Sequence, residues 1–561
     1  MLLSLTKRRW HVICLSLLTL VLMLTGLSTL PVIDRDEARF AQASVQMAET
    51  NDLMNIKFQD EARNKKPAAT YWAQTAMIKT FARDGENRIW VQRLPSVLAA
   101  LVTILALYWG SLRMVGRKAG FIACALLATS LIFVFEGHIA KTDALLCAST
   151  TIIFASLGRL RNGPGKIEVW AFWIALGLSI MIKGPIGLVL VILTLLSLWI
   201  WERNLSWARP LRNWAAMLVF TLIWLPWAIA MFVITDGAFF IESIGQDFGG
   251  KVISGQEDHG APPGSHSAVI WLTLWPASLF LIPGLIYAIS SVRAAQENPI
   301  IRSMKLTLCW AVPFWVLIEI MPTKLPHYGL PIFPALCLII GVAIIAMDQM
   351  TGFLKSRIAG GLIFILMTTV LLGGVVIAQN LYTNGEPSLT GNLICGGSWI
   401  FAVSASFCLW IRKIRISFYC ALLSSIIAMI GAYGYILPSL TELNTSERLA
   451  IELERFAPDT DSQFIHSPHF TEPSLVYHIG KDMNLKAENV SLSDGKLVIL
   501  NTRREETVPL SKILAKSAKN RNRCIAASNP IKGFNYSKGA PLTLVILKEV
   551  PCEVPDQKGR T

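Results

Sequence analysis

The residues at positions 34–72 put an acid and several cations into one polar stretch between two apolar runs: DRDEARFAQASVQMAETNDLMNIKFQDEARNKKPAATYW. Asp34 stands three residues before Glu37, a capping-box spacing that predicts a helix from about Arg35. On that helix Asp36 and Arg39 are i and i+3, so a carboxylate and a guanidinium share a face. Lys65 and Lys66 precede Pro67, which can open a second helix through Trp72 to about Phe81. Asp143 follows in the run EGHIAKTDALL, where Thr142 and Asp143 both also suit a helix N-cap. Lys183-Gly184-Pro185 sets a cation beside a backbone bend, either a tight turn or a broken helix. The run from Pro322 to Tyr328 adds Lys324 and the Tyr328 phenol, and the run from Gln256 to Gly260 adds His259. Lysines, an arginine and a phenol can hold a phosphate through charge-assisted bonds. A carboxylate beside them can deprotonate a hydroxyl or orient a sugar. No nucleotide-binding fingerprint accompanies them. A lipid-linked phosphate substrate fits these groups best.

The elements that must position them lie in a membrane. The chain has 561 residues, 53% hydrophobic and only 16% charged, against about 25% charged in soluble domains. Its mean hydropathy is +0.50. A span needs about twenty apolar residues. Thirteen segments qualify, near 11–30, 91–112, 118–136, 143–158, 168–182, 184–201, 213–234, 268–291, 305–321, 326–347, 358–378, 391–411 and 417–438. The net charge of +14 does not signal a nucleic-acid partner, because many cations flank the apolar runs on one side. Placing the N-terminus, with Lys7-Arg8-Arg9, in the cytoplasm puts most loop cations inside, as the positive-inside rule requires. Asp36, Asp143, Lys183, Lys324 and Tyr328 then share the outer face.

The expected fold class is mainly α and polytopic, with about thirteen transmembrane helices and juxtamembrane helices in the first outer loop (31–90). Residues 1–440 form the membrane part and 441–561 a small outer α/β domain. In the tail, Ser446–Phe456 and Pro509–Ala518 read as helices, and Lys496–Leu500 and Leu542–Leu547 as strands. His466, His469 and His478 read as surface or packing residues. Most of the ten cysteines sit in apolar runs as small hydrophobes. Cys524 and Cys552 are a candidate disulfide if the tail is outside the cytoplasm, with two free thiols as the alternative.

Five motifs in order resemble a known family. Asp36-Glu37-Ala38-Arg39-Phe40 is similar to the first-loop motif DE-x-R-(Y/F) of the GT-C glycosyltransferases of the protein O-mannosyltransferase and lipid A aminoarabinose transferase type. Lys66-Pro67 with Tyr71-Trp72 resembles their KPP-x-x-YW segment, with Ala68 for the second proline. Asp143 resembles the second-loop aspartate, Lys183-Gly184-Pro185 the KGP turn, and Lys324-Leu325-Pro326-His327-Tyr328 the K-x-P-x-Y element. The resemblance covers about the first 440 residues. It implies a GT-C fold and transfer of a sugar from a polyprenyl-phosphate donor to a lipid or protein acceptor, such as lipid A, at the periplasmic face of a bacterial inner membrane. It implies Asp36 and Asp143 as catalytic acids, and Arg39, Lys66, Tyr328, Lys183 and Lys324 around the donor phosphate. In the aminoarabinose-transferase form, an acidic residue before the motif lysine helps a loop histidine bind a divalent metal. Here that position is Lys65, with Arg63 replacing an aromatic, so His259 is left as the metal candidate without its carboxylate. The extra cations suggest a more anionic donor or acceptor. A transporter of lipid-linked saccharides, a binding or scaffold protein working through its tail, a protein O-glycosyltransferase and a polyprenyl-phosphate hydrolase are the rival readings.

Overall fold

Apolar runs of this length bury or expose hydrocarbon most cheaply as helices, since a helix satisfies its own backbone groups. They are helices in the computed structural model, which describes residues 2–82, 88–253, 260–294, 297–347, 354–383, 388–485, 496–503 and 523–551. Helix α1 (Leu2–Leu24) leads into the polar stretch. There α2 (Asp36–Thr50) and α3 (Ala69–Phe81) flank a small hairpin of β1 (Lys57–Phe58) and β2 (Glu61–Ala62). Helices α4 (Ile89–Met114), α5 (Arg117–Ala128), α6 (Leu131–Gly137), α7 (Asp143–Arg161), α8 (Lys166–Lys183), α9 (Ile186–Glu202) and α10 (Trp214–Ile234) follow. Six more long apolar helical segments run from Ala277 to Ser439.

Among the described residues, nine helices are long and apolar enough to cross a membrane, or ten if α5 and α6, bent by 63°, make one span. That is fewer than the thirteen expected. The difference lies in three helices at expected spans. Helix α1 contains Lys7, Arg8 and Arg9, α8 contains Lys166, Glu168 and Lys183, and α9 is only 17 residues long. The chain is a multi-pass membrane protein. Helix α10 leaves large apolar side chains outward, with Leu222 58% and Val233 73% exposed, a surface that suits lipid rather than water. Inside, Phe154 of α7 stacks on Trp310 at 4.3 Å, and both are buried.

The polar stretch is fixed by a buried ion pair. Arg93 of α4 and Glu37 of α2 are both fully buried, with Nε to Oε1 at 2.8 Å and Nη2 to Oε2 at 2.8 Å. The remaining Arg93 protons go to the carbonyls of Leu27, Leu30 and Pro31. The Glu37 oxygens also accept the Ile33 and Ala140 N–H groups, each at 2.8 Å. This network decides how α2 begins. The helix starts at Asp36, one residue later than expected, and Arg35 at its N-cap makes no side-chain cap bond. The expected capping box is therefore absent. Arg93 draws in the Glu37 carboxylate, and Asp34 turns to the tail, accepting from Ser474 N–H at 2.8 Å and Ser474 Oγ at 2.7 Å. The Pro67 reading fares better, with α3 ending at Phe81 as expected and starting at Ala69. It packs on α2 through a Phe40–Tyr71 stack at 4.8 Å and a Ser44–Gln74 hydrogen bond at 2.7 Å.

The tail contains the helix Thr445–Phe456 and a five-stranded sheet. Strands β3 (Ile465–His466) and β4 (Leu497–Asn501) pair in parallel. Strand β7 (Ala540–Pro551) pairs antiparallel with β4, β5 (Arg523–Ala527) and β6 (Ile531–Asn535). Leu449, Leu475, Ile499, Leu544 and Ile546 form a core separate from that of the long helices. His469 packs inside, its Nδ1 accepting Asn501 N–H. The expected helix Pro509–Ala518 lies outside the described residues. Cys524 is on β5, while Cys552, its candidate partner, also lies outside them.

Removing one member of a buried ion pair strands the other charge, which costs about 3–5 kcal/mol. Glu37→Ala and Arg93→Ala should each lower the thermal midpoint of the detergent-purified protein sharply. The double change Glu37→Leu with Arg93→Met should lower it less. Single variants as stable as the parent would contradict this role.

Candidate active site

Five pieces of chain meet at one end of the helix bundle. The first turn of α2 brings Asp36 and Arg39. The segment before α3 brings Arg63, Lys65 and Lys66. The start of α7 brings Asp143, and the α8–α9 turn brings Lys183. Gly184 holds a φ of +68° there, with Pro185 as the N-cap of α9, so Lys183-Gly184-Pro185 is a turn between two helices. Tyr328 lies in the helical turn Pro326–Ile332. All of these residues line one cavity of about 830 Å³, whose remaining walls are largely apolar, with Trp224, Trp227, Phe239, Phe240 and Phe314 among them.

The cavity is electrostatically dense. Lys183 Nζ lies 2.5 Å from Asp143 Oδ1 and 6.0 Å from the Tyr328 ring centre. Lys141, just before α7, reaches Glu136 Oε1 at 3.0 Å and Asp143 Oδ2 at 3.5 Å. His327 stands between the same acids, 3.7 Å from Glu136 and 3.8 Å from Asp143. The three carboxylates Asp36, Asp143 and Glu136 raise the Lys141 ammonium above its usual range despite burial. Burial opposes ionisation of Asp36 as well, yet the charges of Lys141, Arg63 and Arg39 prevail and hold its carboxyl below the usual value. Arg63 is itself pinned, with Nε donating to Tyr71 Oη at 3.0 Å and its guanidinium 5.2 Å from the Phe40 ring.

A second cluster faces the first. Lys66 pairs with Asp247, from the helical segment Ile241–Gly249, and Lys251 reaches the other Asp247 oxygen at 2.7 Å. Burial and the neighbouring Lys251 charge bring the Lys66 ammonium down to about 8, against the pull of Asp247. Asp247 is held ionised below its usual range, because the two lysines outweigh its burial. Two cations on one carboxylate leave spare positive charge facing the cavity.

Six of the seven residues assigned from the motifs thus line one cavity: Asp36, Asp143, Arg39, Lys66, Lys183 and Tyr328. Lys324 does not join them. Its ammonium caps the end of the helix Pro299–Ile320, donating to the carbonyls of Ile318 at 3.0 Å, Glu319 at 2.8 Å and Met321. A lysine just past a helix end satisfies orphan carbonyls in this way. His259 lies outside the described residues, and among the described residues no group of three His, Cys, Asp or Glu side chains could hold a metal. Lys65 lines the cavity. Glu136, Lys141, His327, Asp247 and Lys251 were not assigned a role in the site from the sequence. The signal for Lys141 was present, two residues before Asp143, but its partner Glu136 is brought near only by the bend from α6 into α7.

Comparison with known proteins follows the same lines. A family model described as dolichyl-phosphate-mannose-protein mannosyltransferase matches residues 65–229. An undecaprenyl phosphate-alpha-4-amino-4-deoxy-L-arabinose arabinosyl transferase of Shewanella sediminis is 24% identical over 323 residues, 55% of each chain. One from Edwardsiella ictaluri is 26% identical over 405 residues, 68% of each chain. The chain spans about half the length of the first curated relatives it matches. The crystal structure of ArnT from Cupriavidus metallidurans in the apo state superposes with a TM-score of 0.70 at 16% identity, covering 97% of this chain and 98% of that one. The same protein bound to undecaprenyl phosphate gives 0.68 at 15% identity, covering 95% and 97%. The fold is the GT-C fold. In sequence and in fold, the chain is similar to GT-C glycosyltransferases of the aminoarabinose-transferase type.

The lowered Lys66 ammonium has a direct readout. A lysine depressed to about 8 loses its proton as pH rises through that value, whereas an ordinary lysine does so near 10.4. Acetic-anhydride labelling followed by peptide mass spectrometry should give Lys66 a reactivity midpoint near pH 8. A midpoint near that of ordinary lysines would contradict the environment described.

Proposed function

We propose that the chain is an integral-membrane glycosyltransferase. It takes a sugar from a polyprenyl-phosphate donor and transfers it to a lipid A or other envelope acceptor at the periplasmic face of a bacterial inner membrane. The observation that carries this reading is the single cavity in which two carboxylates, Asp36 and Asp143, face clustered cations beside apolar walls. A polyprenyl chain needs the apolar walls, and its phosphate needs the cations.

In this reading Lys66, Arg39 and the Tyr328 hydroxyl hold the donor phosphate. As the glycosidic bond breaks, negative charge grows on the leaving phosphate, and cations already fixed in a dry site stabilise it without reorganising. Lys183 is paired with Asp143 and supports the same phosphate from the other side. Asp36 faces the acceptor. A carboxyl held below its usual range is a weak base, so Asp36 suits orientation of the acceptor, or an acceptor that is already ionised, such as a phosphate. Asp143, bound to Lys141 and Lys183, fixes these two ammonium groups in place and orients the substrate. The excess of cations, with Arg63 and Lys65 among them, favours an anionic sugar or acceptor.

The catalytic groups sit at helix ends. Asp143 is the first residue of α7 and Lys183 the last of α8. A transporter would carry its binding charges near the bilayer midplane, which weighs against that alternative. A protein acceptor is the second reading, and the description of the matching family model favours it.

Asp36→Asn and Asp143→Asn should abolish sugar transfer while the protein still inserts in the membrane. Lys66→Ala and Tyr328→Phe should raise the KM for donor at least tenfold. Mass spectrometry of envelope lipids and proteins, with and without the gene, identifies the acceptor by a lost sugar increment. Full activity in Asp36→Asn would overturn the assignment of that residue.

A further inference from the structure

One wall of the cavity does not come from the membrane helices. Tyr536 and Ser537 line it together with Asp34, Arg35 and Asp36, and they belong to the tail. They sit at the tip of the β6–β7 hairpin, whose last pair is Asn535 with Ala540. The tip is tightly wound: Lys538 N–H donates to Asn535 Oδ1 at 3.1 Å, and Gly539 closes it at a φ of +64°, a conformation glycine adopts without strain.

The tip is also tied down. Asp34 N–H donates to Tyr536 Oη at 2.6 Å, and Arg35 Nη2 donates to the Ser537 carbonyl at 3.3 Å. Glu472, nearly fully buried, accepts from Asn535 Nδ2 at 2.8 Å and lies 3.8 Å from Arg35 Nε. Asp34 returns the attachment through its two bonds from Ser474. These bonds run to the two residues that precede Asp36. The donor-phosphate cations Lys66 and Lys183 are tied elsewhere, to Asp247 and Asp143. The Tyr536 hydroxyl accepts from Asp34, and the residue, 39% exposed, lines the cavity. An aromatic ring in the wall of a cavity that also holds fixed charges is a platform for the C–H face of a sugar, as it combines apolar area with fixed geometry.

We propose that Tyr536 is a specificity-determining residue for the acceptor, its ring packing against the saccharide headgroup of a glycolipid held beside Asp36. This rests on the transferase reading above and deepens it by giving the tail a share in the site. The Asp34 N–H bond to the Tyr536 hydroxyl and the Arg35 side-chain bond to the Ser537 carbonyl hold the hairpin tip against the start of α2. Arg35 adds a cation beside it, which suits a headgroup that carries phosphate.

The test uses the full-length protein in nanodiscs, with purified phosphorylated lipid A and undecaprenyl phosphate as separate binding probes. Tyr536→Ala should weaken lipid A binding about tenfold and leave undecaprenyl phosphate binding unchanged, which also shows that the cavity is intact. Tyr536→Phe keeps the ring and should restore lipid A binding. Unchanged lipid A affinity in Tyr536→Ala overturns the proposal. So does a Tyr536→Phe variant as weak as the alanine, because the bond with Asp34 would then be the cause. A parallel loss of undecaprenyl phosphate binding overturns it as well, as does a parent protein that binds no lipid A. A parent that binds lipid A but not undecaprenyl phosphate overturns the transferase reading instead, and the Tyr536 contact is then judged on lipid A alone.

Discussion

The buried pair of Glu37 and Arg93 is the constraint on which the site depends. Two opposite charges removed from water are costly unless every remaining donor and acceptor is met. Here the guanidinium is met by one carboxylate and three carbonyls, and the carboxylate by that guanidinium and two backbone N–H groups. One pair thereby joins the end of α1, the start of α2, the start of α4 and the segment before α7. Asp36 is the neighbour of Glu37, and Asp143 lies three residues beyond Ala140, whose N–H the same carboxylate accepts. The distance between the two acids of the cavity is thus set by a network that contains neither.

The cavity itself is built by balancing charges that would otherwise not tolerate burial. Asp143 is ionised beside Lys183, Lys141 is shared between Glu136 and Asp143, and Asp247 is shared between Lys66 and Lys251. Asp143 and Asp247 each have two lysine neighbours. The arrangement leaves positive charge unspent, and an anionic substrate completes it. Glu136 Oε2 makes no hydrogen bond among the described residues, so even the buried side of the cluster is not fully saturated. A preorganised site of this type binds charge without waiting for solvent or side chains to rearrange.

The tail takes part in the same construction. Asp34, which the local pattern marks as a helix cap, is instead the attachment point for the tail, and burial pushes its carboxyl up to about 6 despite the two bonds from Ser474. The first polar stretch therefore lies between two partners, the membrane helices through Glu37 and the tail through Asp34. Its charges are divided by where each side chain is pulled, although Asp34, Asp36 and Glu37 are near neighbours along the chain.

Local pattern alone determined the membrane character, most of the helices, and the α3, Thr445–Phe456 and β4 segments, because apolar length and periodicity act over a few turns. Asp36, Arg39, Lys66, Asp143, Lys183 and Tyr328 were legible as acids, cations or a phenol, and the motif resemblance grouped them with Lys324; the fold brings those six, and not Lys324, to one cavity. The fates of Asp34, Glu37 and Lys324 were decided by tertiary structure. Each has the right residue type for a local or functional role, yet its partner is Ser474, Arg93 or the carbonyls at the end of the preceding helix. The same holds for Glu136, Lys141, Asp247 and Tyr536, whose importance depends on neighbours up to five hundred residues away. A charge reveals its type in the sequence, but what it does follows from the opposite charge or polar group that packing brings within a few ångströms.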